Sequence, residues 1–544
     1  MIGVATAIHR RWTCDDAYIS YRYALNLVEG RGLVFNAGER VEGFSNLLWT
    51  LWCAVGLLLN VSCETWTIVW GIVCYAFSIL LLGWLTVRMQ REIGRACIPL
   101  AAILLALHGD MTIYATSGLE TSLFILLAIL GFVILADGVL SGRNRPVAAG
   151  VVMTLATLTR PDGAIFAVVG GACLLWFSWP RWRNALLYAA AFGLPQVAVE
   201  LWRHGYYGDW LPNTYYAKSG GLAWWSQGFS YLHLYLQKYV VLYLAIPALV
   251  ICLWPRAGDS VSAKIRQLAV IAAALGAAYG LYVTRVGGDF MYARMLLPAT
   301  PFLLIVIELS LVRMQVRLPL DLLIGSALAI GIVLPRWPMS GTLVIDGVAN
   351  EWSYYDDALR HEQVSPVLRK YLDGLPVCMA FVGSEAHRMY KARIATAIES
   401  EAGLTDRFIA HQVLAQRGRV GHEKNAPLEY LIRERKAHFA FHPSAVEEFG
   451  LGSRIPRMTI DLDQVRGYIL HWDPAIMGEL GRRGAKFEDC PAFIDGLIKQ
   501  LHHVPDQQVA DWYRMLKLYY FEGLPQPDHA RESPFLNRLR GTAG

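Results

Sequence analysis

The chain has 544 residues and a net charge of +5, and is 55% hydrophobic with only 17% charged residues. Soluble globular chains carry about 25% charged residues, so an entirely water-soluble fold is excluded. The modest charge, with no basic run, leaves no electrostatic footprint for a nucleic-acid partner. The charge deficit lies before residue 336, which predicts a membrane domain over 1–335 and a soluble C-terminal domain over 336–544.

Met1–Ile8 is apolar but shorter than the roughly 20 residues a span needs, so the first membrane helix reads as truncated. Asp15 and Asp16 follow at once, then a helix over Ala17–Leu27 and a Gly-rich loop over Val34–Ser45. Asn46–Val61 is apolar, short and Trp-rich, which predicts an interfacial or re-entrant helix. Ten apolar runs follow, at 66–87, 97–115, 121–139, 146–159, 163–179, 184–203, 240–254, 266–284, 295–313 and 318–335. After Pro335 the pattern alternates. Val377–Val382 and His438–His442 read as strands. Glu362–Leu372, Asp406–Gln416, Pro427–Glu434, Pro491–Leu501 and Gln507–Leu518 read as helices, and the last ten or so residues as frayed. That pattern predicts a small α/β domain.

Basic residues fall on alternate connections: Arg88, Arg91 and Arg95; Arg143 and Arg145; Arg181 and Arg183; Arg256, Lys264 and Arg266; Arg313 and Arg317. The positive-inside rule makes these cytoplasmic. Parity then sends the other connections and the C-terminal domain outside, together with Asp15 and Asp16 if Asn46–Val61 does not cross. The outer connections carry Asp15, Asp16, Arg22, Glu42, Glu120, Arg160, Asp162, Lys218, Arg285, Asp289 and Arg294. Charges gathered at helix ends facing one cavity point to function.

Sugar transfer from a polyprenyl-phosphate donor needs a base for the acceptor hydroxyl and cations for the departing phosphate. Two adjacent carboxylates resist ionising together, which raises the pKa of one and suits it to accept a proton. Asp15 and Asp16 are the candidate pair, against the plainer reading of a solvated turn or helix cap. Arg22, Arg160, Lys218, Arg285, Asp289 and Arg294 are the candidates for donor phosphate and substrate. Guanidinium forks fit phosphate oxygens, and Tyr215 and Tyr216 before Lys218 can stack on sugar. Glu120 precedes an apolar run and reads as a helix-dipole cap. Asp15, Asp16 and Asp289 can take Mg²⁺ or Mn²⁺ through oxygen, although no spacing demands a metal. In the C-terminal domain, Trp352, Tyr354, Tyr355 and Trp472 can offer stacking faces to a glycan or simply fill the core.

Asp15-Asp16-Ala-Tyr-Ile-Ser-Tyr-Arg22, Gly32-Leu-Val-Phe-Asn36 and Glu39-Arg-Val-Glu42-Gly43-Phe-Ser-Asn46 resemble the first outer loop of bacterial GT-C glycosyltransferases. They are similar in particular to the family of the mycobacterial terminal β-(1→2) arabinofuranosyltransferase. Ser117-Gly-Leu-Glu-Thr, Arg160-Pro-Asp-Gly, Gly287-Gly-Asp-Phe and Gly403-Leu-Thr-Asp406 share that likeness. The resemblance implies a polytopic helical GT-C-like membrane domain, an outer catalytic loop over 15–45 and an extracytoplasmic C-terminal α/β domain. It implies an inverting transferase of the inner membrane, with Asp15 or Asp16 as base, a polyprenyl-phosphate sugar as donor and a cell-envelope glycan as acceptor. The alternatives are a protein O-glycosyltransferase of O-mannosyltransferase type and a lipid or solute transporter. The transporter is disfavoured because its ionisable residues belong on broken helices near mid-membrane.

Overall fold

The computed structural model describes residues 1–178, 182–219, 221–255, 260–334, 344–358, 362–414, 416–441 and 458–541. It contains two compact units, one of residues 1–28, 44–212 and 220–360, the other of 29–43, 213–219 and 361–544. The expected boundary after Pro335 lies outside the described residues, as do Arg181, Arg256 and His442. Of the expected loop 15–45, residues 29–43 pack within the second unit.

The helices in chain order are α1 (Ile2–His9), α2 (Ala17–Val28), α3 (Leu47–Leu58), α4 (Cys63–Ile93), α5 (Leu100–Leu107), α6 (Gly109–Tyr114), α7 (Thr121–Ser141) and α8 (Pro146–Thr159). They continue with α9 (Gly163–Ser178), α10 (Trp182–Tyr207), α11 (Asn213–Ala217), α12 (Trp225–Lys238), α13 (Ala245–Leu253), α14 (Ser260–Val286), α15 (Thr300–Met314) and α16 (Leu318–Val333). Among the described residues, α4, α7, α10 and residues 263–286 of α14 are long and apolar enough to cross a membrane. α3, α8, most of α9 and α16 are shorter apolar helices. The protein is a membrane protein.

One expected run is bent rather than straight, and another turns sharply from the helix before it. The run 97–115 divides at His108, whose extended backbone ends α5 and whose Nδ1 accepts the Met111 N–H of α6 (3.3 Å). The start of α5 is held by a buried carboxylate, Glu308 of α15, which accepts the Ala101 N–H (2.7 Å) and the Thr86 hydroxyl (2.6 Å). The run 240–254 begins with a 3₁₀ turn over Val240–Leu244 and turns by 99° from α12. At that corner Lys238 pairs with buried Asp110 (3.0 Å). The first unit ends in the hairpin β1 (Val344–Ile345) and β2 (Val348–Ala349) and a helix over Glu351–Ala358.

The second unit is built on a mixed sheet of β3 (Cys378–Phe381), β4 (Thr396–Glu399), β5 (Phe439–Ala440), β6 (Thr459–Leu462), β7 (Val465–Ile469) and β8 (Lys486–Phe487). Their order is β4-β3-β5-β7-β6-β8. β3 pairs parallel with β4 and β5, and the remaining pairs are antiparallel. Expected strands and helices recur, with differences. Among the described residues of 406–416 only Arg407–Ala410 are helical, whereas Pro427–Glu434 is helical from Leu428 and closes in a π turn over Tyr430–Glu434. The tail is a helix over His529–Arg540 rather than frayed. Segment 29–43 is tied in by Asn36, whose side chain exchanges two bonds with the Ala397 backbone (3.0 and 2.9 Å).

Candidate functional site

Charged side chains from several helix ends of the first unit meet in one buried cluster. Glu120 stands at the N-terminus of α7, Arg160 at the C-terminus of α8 and Asp162 just ahead of α9. Each sign suits its helix dipole. Asp15 and Asp16 open α2, their carbonyls accepting the Tyr18 and Ile19 N–H groups. Asp289 and Arg294 lie on the connection between α14 and α15.

Arg160 is committed to its neighbours. Its Nε and one terminal nitrogen fork onto Asp162 (3.0 and 2.8 Å), and the other terminal nitrogen donates to Glu120 (3.4 Å). Asp162 also accepts the Tyr279 hydroxyl (2.6 Å). Arg294 is held more openly. It donates to Glu120 at 3.1 Å and pairs with Asp289 at 3.6 Å and Asp16 at 4.0 Å. Its Nε is buried without a hydrogen-bond partner among the described residues. A buried donor left unpaired is costly and calls for an explanation.

Glu120 is the hub. Burial pushes its carboxyl up, but Arg294, Arg160 and the Asn46 side-chain amide (2.9 Å) outweigh that and hold it below the usual carboxylate range. Burial likewise disfavours the Arg294 cation, but Glu120 and Asp289 reverse this and its pKa is raised. Both arginines stay charged at any working pH. Gly118 closes the turn before Glu120 with φ +80°, and a Cβ there would overlap the Tyr21 hydroxyl.

The structure thus brings together Asp16, Arg160, Asp289 and Arg294. Asp15 is adjacent but buried at 4% exposure, whereas the Asp16 side chain is 28% exposed. Arg22 is buried on α2. Arg285 is exposed at the end of α14 and makes none of these ion pairs. Lys218 is exposed and lies in the second unit. Glu120, expected as a helix-dipole cap, also holds Arg160 and Arg294, and its place in Ser117-Gly-Leu-Glu-Thr is the signal the sequence offers. Asn46 closes the Glu39–Asn46 motif, whereas Tyr279 and Tyr231 carry no signal in the sequence. Among the described residues no group of three or more His, Cys, Asp or Glu is placed to hold a metal ion. Trp352 and Tyr355 are used internally: Trp352 donates to the Arg10 carbonyl (3.2 Å), and buried Tyr355 stacks on Trp12. Trp472 is buried against Phe487.

No family model matches the chain. It is 30% identical over 381 residues to the terminal β-(1→2)-arabinofuranosyltransferase of Corynebacterium glutamicum, covering 63% of this chain and 53% of that protein. It is 31% identical over 322 residues to the protein of the same name from Mycobacterium tuberculosis, covering 53% and 51%. The chain therefore spans about half the length of the curated relatives it matches. In fold it is similar to ArnT from Cupriavidus metallidurans. The TM-score is 0.52 to the apo form (13% identity, 86% of this chain, 96% of that chain) and 0.50 to the form bound to undecaprenyl phosphate (11% identity, same coverage). The chain is thus similar in sequence to terminal β-(1→2)-arabinofuranosyltransferases, as its motifs led one to expect, and it has the GT-C fold of ArnT.

Proposed function

We propose that the protein is a membrane glycosyltransferase that moves arabinofuranose from a polyprenyl-phosphate donor to a cell-envelope glycan, with inversion, on the outer face of the inner membrane. The observation that carries this reading is Arg294. It is a buried cation at the meeting point of helix ends, held by Glu120 and flanked by Asp16, with its Nε unpaired. A phosphate oxygen would satisfy that nitrogen. The names of the sequence relatives support the sugar, and the undecaprenyl phosphate bound by ArnT supports the lipid carrier. The outer-face assignment rests on loop charge.

In this reading Asp16 is the base, because it is the more exposed acid and sits beside Arg294. Asp15, buried behind it, orients the loop. The Asp16 carboxylate takes the proton of the acceptor hydroxyl as that oxygen forms a bond to the anomeric carbon. The bond from that carbon to phosphate breaks on the opposite face, and polyprenyl phosphate leaves with the electron pair. Arg294 offsets the charge that develops on the leaving oxygen. Arg160, itself held by Asp162, acts on Arg294 through the Glu120 carboxylate that the two arginines share.

We assign acceptor binding to the second unit. Its support is a cavity of about 480 Å³ lined by Glu39, Asp406, Phe408, His411, Tyr430 and Arg435. Phe408 is 52% exposed and stacks on Tyr430 at 4.2 Å. Aromatic faces beside fixed charged groups suit a polyhydroxylated ligand. The test uses full-length protein with polyprenyl-phosphate arabinofuranose. Release of polyprenyl phosphate that depends on added glycan supports the reading. No release with any glycan rules it out.

A further inference from the structure

We infer that Tyr231 is a positioning residue for this reaction: its hydroxyl holds the Met291–Met295 turn in the shape that presents Arg294. The inference rests on the reading of Arg294 as the cation for the donor phosphate. Tyr231 is fully buried on α12. Its hydroxyl donates to the Met291 carbonyl (2.9 Å) and accepts the Met295 N–H (3.1 Å), so it bridges both ends of the turn. Between those ends Ala293 has φ +66° and is fully buried. A residue with a Cβ adopts that left-handed conformation only when its surroundings impose it. Arg294 is the next residue, so the direction of its side chain depends on this strained step.

The Tyr231 ring is itself fixed. It packs on Gly288, where φ is +75° and a Cβ would overlap the ring. The strand side of the connection is held separately. The Tyr292 N–H donates to the Ala349 carbonyl (3.0 Å), the Ala349 N–H donates to the Phe290 carbonyl (2.7 Å), and Tyr114 donates to the Tyr292 carbonyl (2.8 Å). These bonds anchor residues 290–292 but do not reach past Ala293. Tyr231 reaches across it from α12, alongside the Arg294 N–H, which donates to the Tyr292 carbonyl (2.8 Å). The residue belongs to none of the ion pairs around Glu120, so it acts through Arg294 and not on substrate.

The test measures undecaprenyl phosphate binding to full-length protein in detergent, with the melting transition recorded for each variant. Tyr231→Phe keeps the ring against Gly288 and removes only the bridging oxygen. It is expected to weaken binding by about tenfold while the protein still melts cooperatively. Glycine adopts the left-handed turn without strain, so Ala293→Gly alone should leave affinity unchanged, and added to Tyr231→Phe it should restore most of what was lost. That rescue is not expected if Tyr231 merely fills space. Wild-type affinity in Tyr231→Phe, or no recovery in the double variant, overturns the inference. If Tyr231→Phe does not fold, Ala293→Val penalises the turn with the hydroxyl in place. Weaker binding then supports the inference and unchanged binding overturns it. If the wild-type protein itself does not bind undecaprenyl phosphate, the functional reading fails first and this inference falls with it.

Discussion

Glu120 and Arg294 form a buried ion pair at 3.1 Å, and the same Glu120 oxygen accepts from Arg160 at 3.4 Å. One carboxylate at the start of α7 therefore sets the position of two guanidiniums that come from different connections. Removing it takes one anionic partner from each, leaving Arg160 on Asp162 and Arg294 on the more distant Asp289 and Asp16. Breaking a buried pair costs up to about 3–5 kcal/mol when the surviving charge is left poorly compensated. Glu120→Ala should lower stability by that order and abolish undecaprenyl phosphate binding. Glu120→Gln, which keeps one acceptor, should cost less. The Glu120 pKa is depressed in the fold, so its contribution is present above the usual carboxylate pKa and is lost as pH falls through the lower folded value. Equilibrium melts between pH 7 and pH 3 on the wild type and Glu120→Gln check this, and equal acid sensitivity in the two contradicts it.

The arginines should not behave alike. Arg294→Lys loses the planar fork and should weaken donor binding by about tenfold or more. Arg160 is already forked onto Asp162, so Arg160→Ala should show its main effect in stability, with affinity falling only as Arg294 shifts. Arg285 is exposed and outside the cluster, and Arg285→Ala should leave donor binding unchanged. Titration of undecaprenyl phosphate against the three variants separates these outcomes. A larger loss in Arg285→Ala than in Arg294→Lys would move the phosphate site to the end of α14.

Much of this site was legible in the chain. Arg160, Asp162 and Asp289 stand out because each breaks an apolar pattern beside Pro or Gly, where a charge has no packing role, and Arg294 because it interrupts an apolar run. Glu120 was legible in place but not in meaning. A carboxylate before an apolar helix looks the same whether it caps a dipole or holds two arginines, and only tertiary contact distinguishes them. Tyr231 is hidden for the same reason. Local pattern also could not reveal that residues 29–43 pack with the C-terminal sheet, since Asn36 meets Ala397 across most of the chain. The bend at His108 was missed because apolar periodicity is blind to one extended residue inside a hydrophobic run.

His438 gives the second unit a pH dependence of its own. Burial and the neighbouring His471 push it down to about 4, and its Nδ1 accepts the Cys378 N–H (3.0 Å), which requires the neutral ring. A histidine lowered in the fold contributes stability above its unfolded pKa of about 6.5, and that stability is lost as pH falls toward 4. The full loss amounts to about 3 kcal/mol. Hydrogen exchange of the β3 and β5 amides should therefore speed up between pH 6.5 and 4, after correction for intrinsic rates, and His438→Gln should flatten that dependence. A flat profile in the wild type would contradict the assignment.

From loop charge we propose that the C-terminal unit lies outside the cytoplasm. A reporter active only in the periplasm, fused after Gly544, should be active. Activity of a cytoplasm-only reporter at that position would reverse the orientation and the face on which the reaction is proposed.

The central claim is that Asp16 takes a proton while polyprenyl phosphate departs. It is tested most directly by the release of polyprenyl phosphate from polyprenyl-phosphate arabinofuranose by full-length protein with a glycan acceptor, comparing wild type, Asp15→Asn and Asp16→Asn. Removing a general base costs about 10²–10⁴-fold in rate. The account predicts that loss in Asp16→Asn with undecaprenyl phosphate affinity retained, and a smaller loss in Asp15→Asn. Near-wild-type turnover in Asp16→Asn would contradict it.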